Sequence, residues 1–186
     1  MTSGPSRRAA RPAPRLADLS ASKGSSMTAT NPAVPAGAEG GLETVRVITE
    51  TLRIVTDKRL ELYNLTEKVA AIVKRHDIKE GMVLLSSLHT TVALFVNEWQ
   101  SALLHDIKGM LNKVVSPKDD WRHNDPAHSD CDRQNAHSHL QATLLGHALS
   151  FPVTKGKLVL GQFQAIIAAE LDGPRNRDVA IQIIGR

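Results

Sequence analysis

Apolar and polar residues alternate through ETVRVITETLRIVT (43–56), where Val, Ile and Thr dominate, and this period of two predicts a long strand or a bent pair. LELYNLT is expected to extend the sheet. The period then lengthens. TEKVAAIVKRHDIKEG sets Val69, Ile72 and Val73 on one helical face, with Thr66 as N-cap and Gly81 closing the unit. MVLLSSLHTTVALFVNE (82–98) predicts two strands, or one long bent strand, around SSLHTT. WQSALLHDIKGMLNKV spaces Trp99, Leu103, Ile107 and Leu111 at i, i+4, a second amphipathic helix. From about Ser116 to Asn135 the pattern stops, and a stretch of that length without periodicity in a compact domain marks a functional or mobile loop. AHSHLQATLLGHA predicts a third helix with Leu140, Leu144 and Leu145 inward. The remainder, from Leu149 to Arg186, breaks into three or four short strands at Gly and Pro turns. No internal repeat is found. Strands outnumber helices without alternating with them, so the expected class is α+β with a mainly antiparallel sheet and not a doubly wound fold.

Residues 1–41 show no such pattern. Ala, Pro, Ser, Gly and Arg fill them, too little to bury against chain entropy, and a disordered tail before a single domain over 42–186 is expected. The tail lacks the apolar run of a secretory signal. Its Arg- and Ser-rich start is like that of an organellar transit peptide, while its proline density opposes an amphipathic helix; Met27 is an alternative translation start. The tail also carries most of the net charge of +4: Arg7, Arg8, Arg11, Arg15 and Lys23 face only Asp18 and Glu39, whereas the rest holds 18 basic and 17 acidic residues. With aromatics at 3% and no basic stripe in the folded part, nucleic acid is not an expected partner. No run approaches the ~18 apolar residues of a membrane span, so no membrane partner is expected. One cysteine, Cys131, makes no internal disulfide, which fits a cytoplasmic protein.

The patternless segment carries the chemistry. WRHNDPAHSDCDRQNAHSH (121–139) holds four of the eight histidines and the sole cysteine, residue types that bind metals and move protons near neutral pH. Its H-x4-H-x8-H-x-H spacing matches no standard zinc module. On a helix His137 and His139 point ~200° apart, so they cannot share a metal; His139 lies beside the leucine face and is the better ligand, with His137 facing solvent. Taken alone, His89 is expected to be a hydrogen-bonded strand-edge residue, and His105 and His147 surface residues. Cys131, among aspartates that do nothing to lower its pKa, is incidental. Glu98 is either a general base or a helix-start carboxylate. Glu170, closing the apolar QAIIAAE, is conspicuous because an unpartnered buried carboxylate is costly. The arginines of DGPRNR either grip phosphate or lie exposed. Phosphate-loop, dinucleotide and nucleophile-elbow motifs are absent.

In order, HTTVALFVNE (89–98), WRHNDP (121–126), SDCDRQNAHSHLQATLLG (129–146), FPVTKGKLVLGQFQ (151–164) and ELDGPRNRDV (170–179) resemble the YjbQ-like family, also called the secondary thiamine-phosphate synthase family. With TEKV and IKEGMVLL the likeness covers essentially all of 42–186. The resemblance implies a curved, mostly antiparallel sheet with about three helices and assembly as a homotrimer. It implies a polar pocket holding a divalent metal ion (zinc or magnesium) on His89, His123 and His139, which reverses the edge-residue reading of His89. It further implies Glu98 and Glu170 as catalytic carboxylates, with Asn97, Asn135, Gln164 and Arg175 binding a small phosphorylated substrate. LGQFQ departs from the Thr-Trp that many members carry, which affects position 162, and the long tail has no family counterpart. The activity implied joins a hydroxymethylpyrimidine diphosphate to a thiazole phosphate and releases diphosphate. A metal-assisted phosphate-ester hydrolase and a non-catalytic metal- or ligand-binding trimer are the alternatives.

Overall fold

The computed structural model describes residues 44–186; the expected disordered tail lies outside the described residues. The strands are β1 (Arg46–Val55), β2 (Glu61–Asn64), β3 (Glu80–Ser87), β4 (Val92–Asn97), β5 (Ala148–Thr154), β6 (Lys157–Leu158), β7 (Ala165–Glu170) and β8 (Asn176–Gly185). The helices are α1 (Thr66–Arg75), α2 (Ser101–Val114) and α3 (Ala136–Leu145). The patternless segment holds only a 3-10 turn at Arg122–Asn124. Every strand pair is antiparallel, in a five-stranded sheet ordered β1-β8-β3-β5-β6 and a three-stranded sheet ordered β2-β7-β4. This is the expected α+β domain with three helices.

The alternation along β1 and β8 explains the larger sheet. Ile54, Val179, Ile181 and Ile183 face inward with Val83 and Leu85 of β3, and α1 covers them with Val69, Ile72 and Val73. Strand β7 lies between two cores: Ile166 and Ala168 join this cluster, and Ala169 packs with Ala93, Ile107, Leu111 and Ala142 under α2 and α3. A strand covered on both faces needs a continuous apolar run, and all six residues of β7 are buried. The glutamate that ends it is buried by its position.

Local expectations needed four corrections here, the first being that β2 does not extend the sheet of β1 but pairs with β7 in the other sheet. Leu65 occupies the α1 N-cap without a side-chain cap bond; the Thr66 amide donates to Asn64 Oδ1 (2.9 Å), and Thr66 Oγ1 is occupied by the Ile166 amide (3.0 Å). Helix α1 stops at Arg75, and Gly81 instead lies in β3, where a Cβ would stand 2.2 Å from the Ile184 carbonyl oxygen. Trp99 precedes α2 and is exposed; Gln100 caps that helix by accepting from the Leu103 amide (2.7 Å).

Helix α3 departs further from expectation. Leu144 is 60% exposed and Leu140 is also exposed, while Ala136, His137, Ser138, Gln141 and Ala142 are buried. The helix docks through small and polar side chains. Ser138 Oγ donates to the Leu171 carbonyl (2.5 Å) and Gln141 Nε2 to the Val115 carbonyl (3.1 Å), so its buried face is specified by hydrogen bonds, which an apolar-period argument does not detect. His137, expected in solvent, is 8% exposed.

Candidate functional site

Period-two geometry puts Arg177 on the inward face of β8 with Val179, Ile181 and Ile183, and there it meets Glu170 at the end of β7. Arg177 Nε lies 2.5 Å from Glu170 Oε2 and Nη2 lies 2.6 Å from Oε1, a bidentate pair buried on both sides. Thr56 Oγ1, 3.0 Å from Oε2, and the Asp172 amide, 2.8 Å from Oε1, complete the carboxylate's partners. Two oxygens with about four lone-pair directions are thereby filled. Glu170, expected to be catalytic, has all four of these directions engaged by protein donors. Arg177 Nη2 reaches onward to Thr91 Oγ1 (3.1 Å).

Asp172, two residues on and 2% exposed, gathers a second set. Its Oδ2 accepts from Arg133 Nε (2.8 Å) and Asn135 Nδ2 (2.9 Å), with Arg175 Nη2 at 3.9 Å; Arg59 Nη2 is 3.7 Å from Oδ1. Burial alone would raise this carboxyl, but the Arg133 and Asn135 hydrogen bonds and the arginine charges outweigh it and hold it below the usual aspartate range. Cys131 Sγ contacts Asn135 Oδ1 (3.7 Å), steadying the amide that binds Asp172. His128 pairs with Asp125 at the exposed edge of the segment (2.8 Å).

Above these two carboxylates opens a cavity of about 300 Å³, lined by residues 88–91 together with Arg133, Asn135, His139, Asp172, Arg175 and Arg177. Three arginines and one carboxylate line it directly, so it carries excess positive charge. His89 Nε2 accepts the Asp178 backbone N–H at 2.8 Å. An amide N–H can only donate, so that nitrogen is unprotonated and the neutral ring carries its proton on Nδ1. Desolvation, and then the Arg177 charge, hold His89 below its ordinary pKa. His139 is lowered mainly by desolvation and also by His123, whose ring meets it edge-on at 5.1 Å. His139 also lines the shallow neighbouring cleft with Trp121 and His123.

The structure therefore brings His89, Asn135, His139 and Arg175 to one cavity, with Glu170 beneath it and His123 at its side. It leaves three predicted residues elsewhere. Asn97, Glu98 and Gln164 are exposed at the opposite end of the three-stranded sheet, since Val92 pairs with Glu170 but Asn97 with Ala165. At ~3.3 Å per residue that is roughly 20 Å away. Gln164 Oε1 and Asn97 Oδ1 only close local turns, accepting from the Gly161 and Glu98 amides at 2.8 Å each.

A metal on His89, His123 and His139 does not fit this arrangement. Among the described residues no three His, Cys, Asp or Glu side chains converge to hold one, and His89 Nε2 is committed to a backbone amide while Nδ1 carries the proton.

A sequence model described as "UPF0047 protein YjbQ-like" matches residues 50–186. The chain belongs to the YjbQ-like UPF0047 family. A UPF0047 protein of Methanothermobacter thermautotrophicus is 38% identical over 76% of this chain and 95% of its own length. One from Archaeoglobus fulgidus is 39% identical over 72% and 98%. Among solved structures, a YbjQ-like protein from Sulfolobus solfataricus superposes with a TM-score of 0.71 at 37% identity, covering 77% of this chain and all of that one.

In this YjbQ-like chain, sequence reasoning passed over Arg59, Arg133 and Asp172, and it read Arg177 as a phosphate grip or an exposed turn residue where the structure buries it against Glu170. Arg177 had a signal, its shared parity with the apolar residues of β8. Arg59 and Arg133 lie in irregular segments and had none. Gly173 shows how tightly the turn beneath the cavity is built: a Cβ there would stand 2.3 Å from the Lys58 carbonyl oxygen and 2.9 Å from both Glu170 Cγ and Thr56 Oγ1. Gly173→Ala should lower stability by about 1–3 kcal/mol, an overpacking cost, read by urea denaturation; a change within ~0.5 kcal/mol would mean the turn yields freely.

Proposed function

We propose that this protein is a transferase with thiamine-phosphate synthase-like activity, whose cavity binds the diphosphate of a hydroxymethylpyrimidine diphosphate. The carrying observation is the cavity's charge arrangement: Glu170 beneath it is filled by four contacts and Asp172 is paired with Arg133 and Asn135, while Arg175, Arg133 and His89 Nδ1–H have donors to offer a polyanion. In this reaction the carbon–oxygen bond to the leaving diphosphate breaks, with the electron pair going to that oxygen. The thiazole nitrogen forms the new carbon–nitrogen bond with its lone pair. No proton needs to move, so such a site requires charge neutralisation more than a general base. A hydrolase, by contrast, must deprotonate water, and both carboxylates beside this cavity are engaged. His139, kept neutral, is the nearest proton acceptor such a hydrolase would have.

A homotrimer belongs to the same proposal. The outer face of β1, β8, β3 and β5 carries Val47, Ile184, Met82, Leu84 and Pro152 among Thr, Ser and Ala. Its facing charges, Arg53 and Asp178, pair with each other at 2.9 Å, so a second copy would meet little net charge there. A role for Glu98 at the cavity would then require another copy, given its distance within one chain.

The test supplies the full chain with both precursors and measures diphosphate release, with magnesium or zinc added to chelator-treated protein as separate arms. Turnover that falls by about a hundredfold in Arg175→Gln is the expected result, the scale of losing one charge-stabilising donor. No release above that variant under any metal condition would remove the reading.

A further inference from the structure

We infer that the opposite side of α3 holds a second ligand site, which takes a small carboxylate anion with an apolar body. The site is a cavity of about 390 Å³ that shares only Arg133 with the first. Its decisive feature is His137. The ring is 8% exposed, lines the cavity, and its Nδ1 is the one sealed side-chain nitrogen or oxygen among the described residues with no hydrogen-bond partner. A buried polar group left unpaired costs about 1–3 kcal/mol. The neighbouring inward polar residues of α3, Ser138 and Gln141, are both bonded, so His137 is the exception on its own helix. Its Nε2 is neither sealed nor bonded, which leaves it as the ring's opening to the cavity, where the tautomer protonated on Nε2 presents a donor to an anion.

Two guanidiniums face the same space. Arg133 spends Nε and Nη2 on the Asp172 carboxylate and carbonyl, leaving Nη1 unengaged. Arg59 donates to the Gln134 carbonyl (3.3 Å) and lies 3.7 Å from Asp172. Two positive charges beside one carboxylate leave an excess of about one, which suits a single negative charge. A planar carboxylate matches guanidinium donors geometrically, and Leu60 and Leu171 in the wall provide for a short apolar body.

The probe is acetate, with acetamide as its uncharged counterpart, added to the full chain at constant pH and ionic strength. The readout is the ring Cε1–H resonance of His137 in NMR, assigned by its loss in His137→Gln. Acetate should move that resonance saturably and acetamide should not. Arg59→Gln, at an exposed side chain that leaves the fold intact, should weaken the effect by about tenfold or more. Arg175→Gln should leave it unchanged while abolishing the diphosphate-induced shifts of His89 and His139, so failure at either cavity is seen separately. A His137 resonance that ignores acetate, follows acetamide equally, or responds undiminished in Arg59→Gln would overturn the site.

Discussion

Arg177→Met should lower the unfolding free energy by about 3–5 kcal/mol, the scale of stranding a buried charge by deleting its partner. The guanidinium supplies two of the four contacts that satisfy Glu170, which is 1% exposed, and it also ties Thr91 to the same point. No water can replace it without opening the junction between the two sheets. For a domain of this size the loss corresponds to a melting-temperature drop on the order of 10 °C. The control is Glu170→Gln/Arg177→Met. If the damage in the single variant comes from the stranded carboxylate, neutralising it should restore a good part of the stability, because a buried ion pair replaced as a pair is often nearly neutral. Urea denaturation of wild type, Glu170→Gln, Arg177→Met and the double variant closes the cycle. A single-variant cost below about 1 kcal/mol would mean that Glu170 reaches solvent or protonates without penalty.

That pair also shows what was legible in the sequence. The period-two run of β1, the apolar runs of β3 and β4, the Gly- and Pro-bounded strands after Leu149 and the helical runs of α1 and α2 are local signals, and they carry the α+β class and the element order. Glu170 was noticed because an acid at the end of an apolar run has to be explained, but its partner lies seven residues away across a turn, and whether such an acid is catalytic or clamped depends on that partner. His137 and His139 were correctly set on opposite sides of α3. The apolar period points to a leucine face on that helix, of which only Leu145 packs inward, whereas Ser138 and Gln141 dock it through hydrogen bonds. The three residues at the far end of β4 and β7 were grouped with the cavity by motif; antiparallel register separates them. Arg59 and Arg133 were illegible because irregular segments carry no period from which an orientation follows.

Asp172→Asn is expected to produce the second large effect, on stability and on ligand turnover together. The carboxylate orients Arg133 and Asn135 by direct hydrogen bonds and draws on Arg59 and Arg175. An amide of the same shape keeps the volume but loses the charge, and its NH2 group turns a donor toward donors. At neutral pH the loss of its hydrogen bonds to charged partners should cost about 1.5–3 kcal/mol. The sign of the pH dependence follows from the lowered folded-state pKa. In the unfolded chain the group titrates near the ordinary aspartate value of ~3.9. Its stabilising contribution is therefore fully present above that value and is lost as pH falls through the lower folded-state value. Wild type and variant should differ by a constant amount above about pH 5, and the gap should narrow as pH falls from ~3.9 toward the lower folded-state value. Diphosphate release, if the proposed reaction holds, should fall by roughly ten- to hundredfold, because guanidiniums displaced by even ~1 Å neutralise the leaving group poorly. The removed negative charge works the other way and strengthens non-specific attraction of anions, so binding should become more salt-sensitive as turnover falls. Denaturation curves at pH 3 and pH 7 separate the contributions: a gap between the two proteins that is equal at both pH values would show that Asp172 acts by shape alone, and that its charge does not hold the arginines in place.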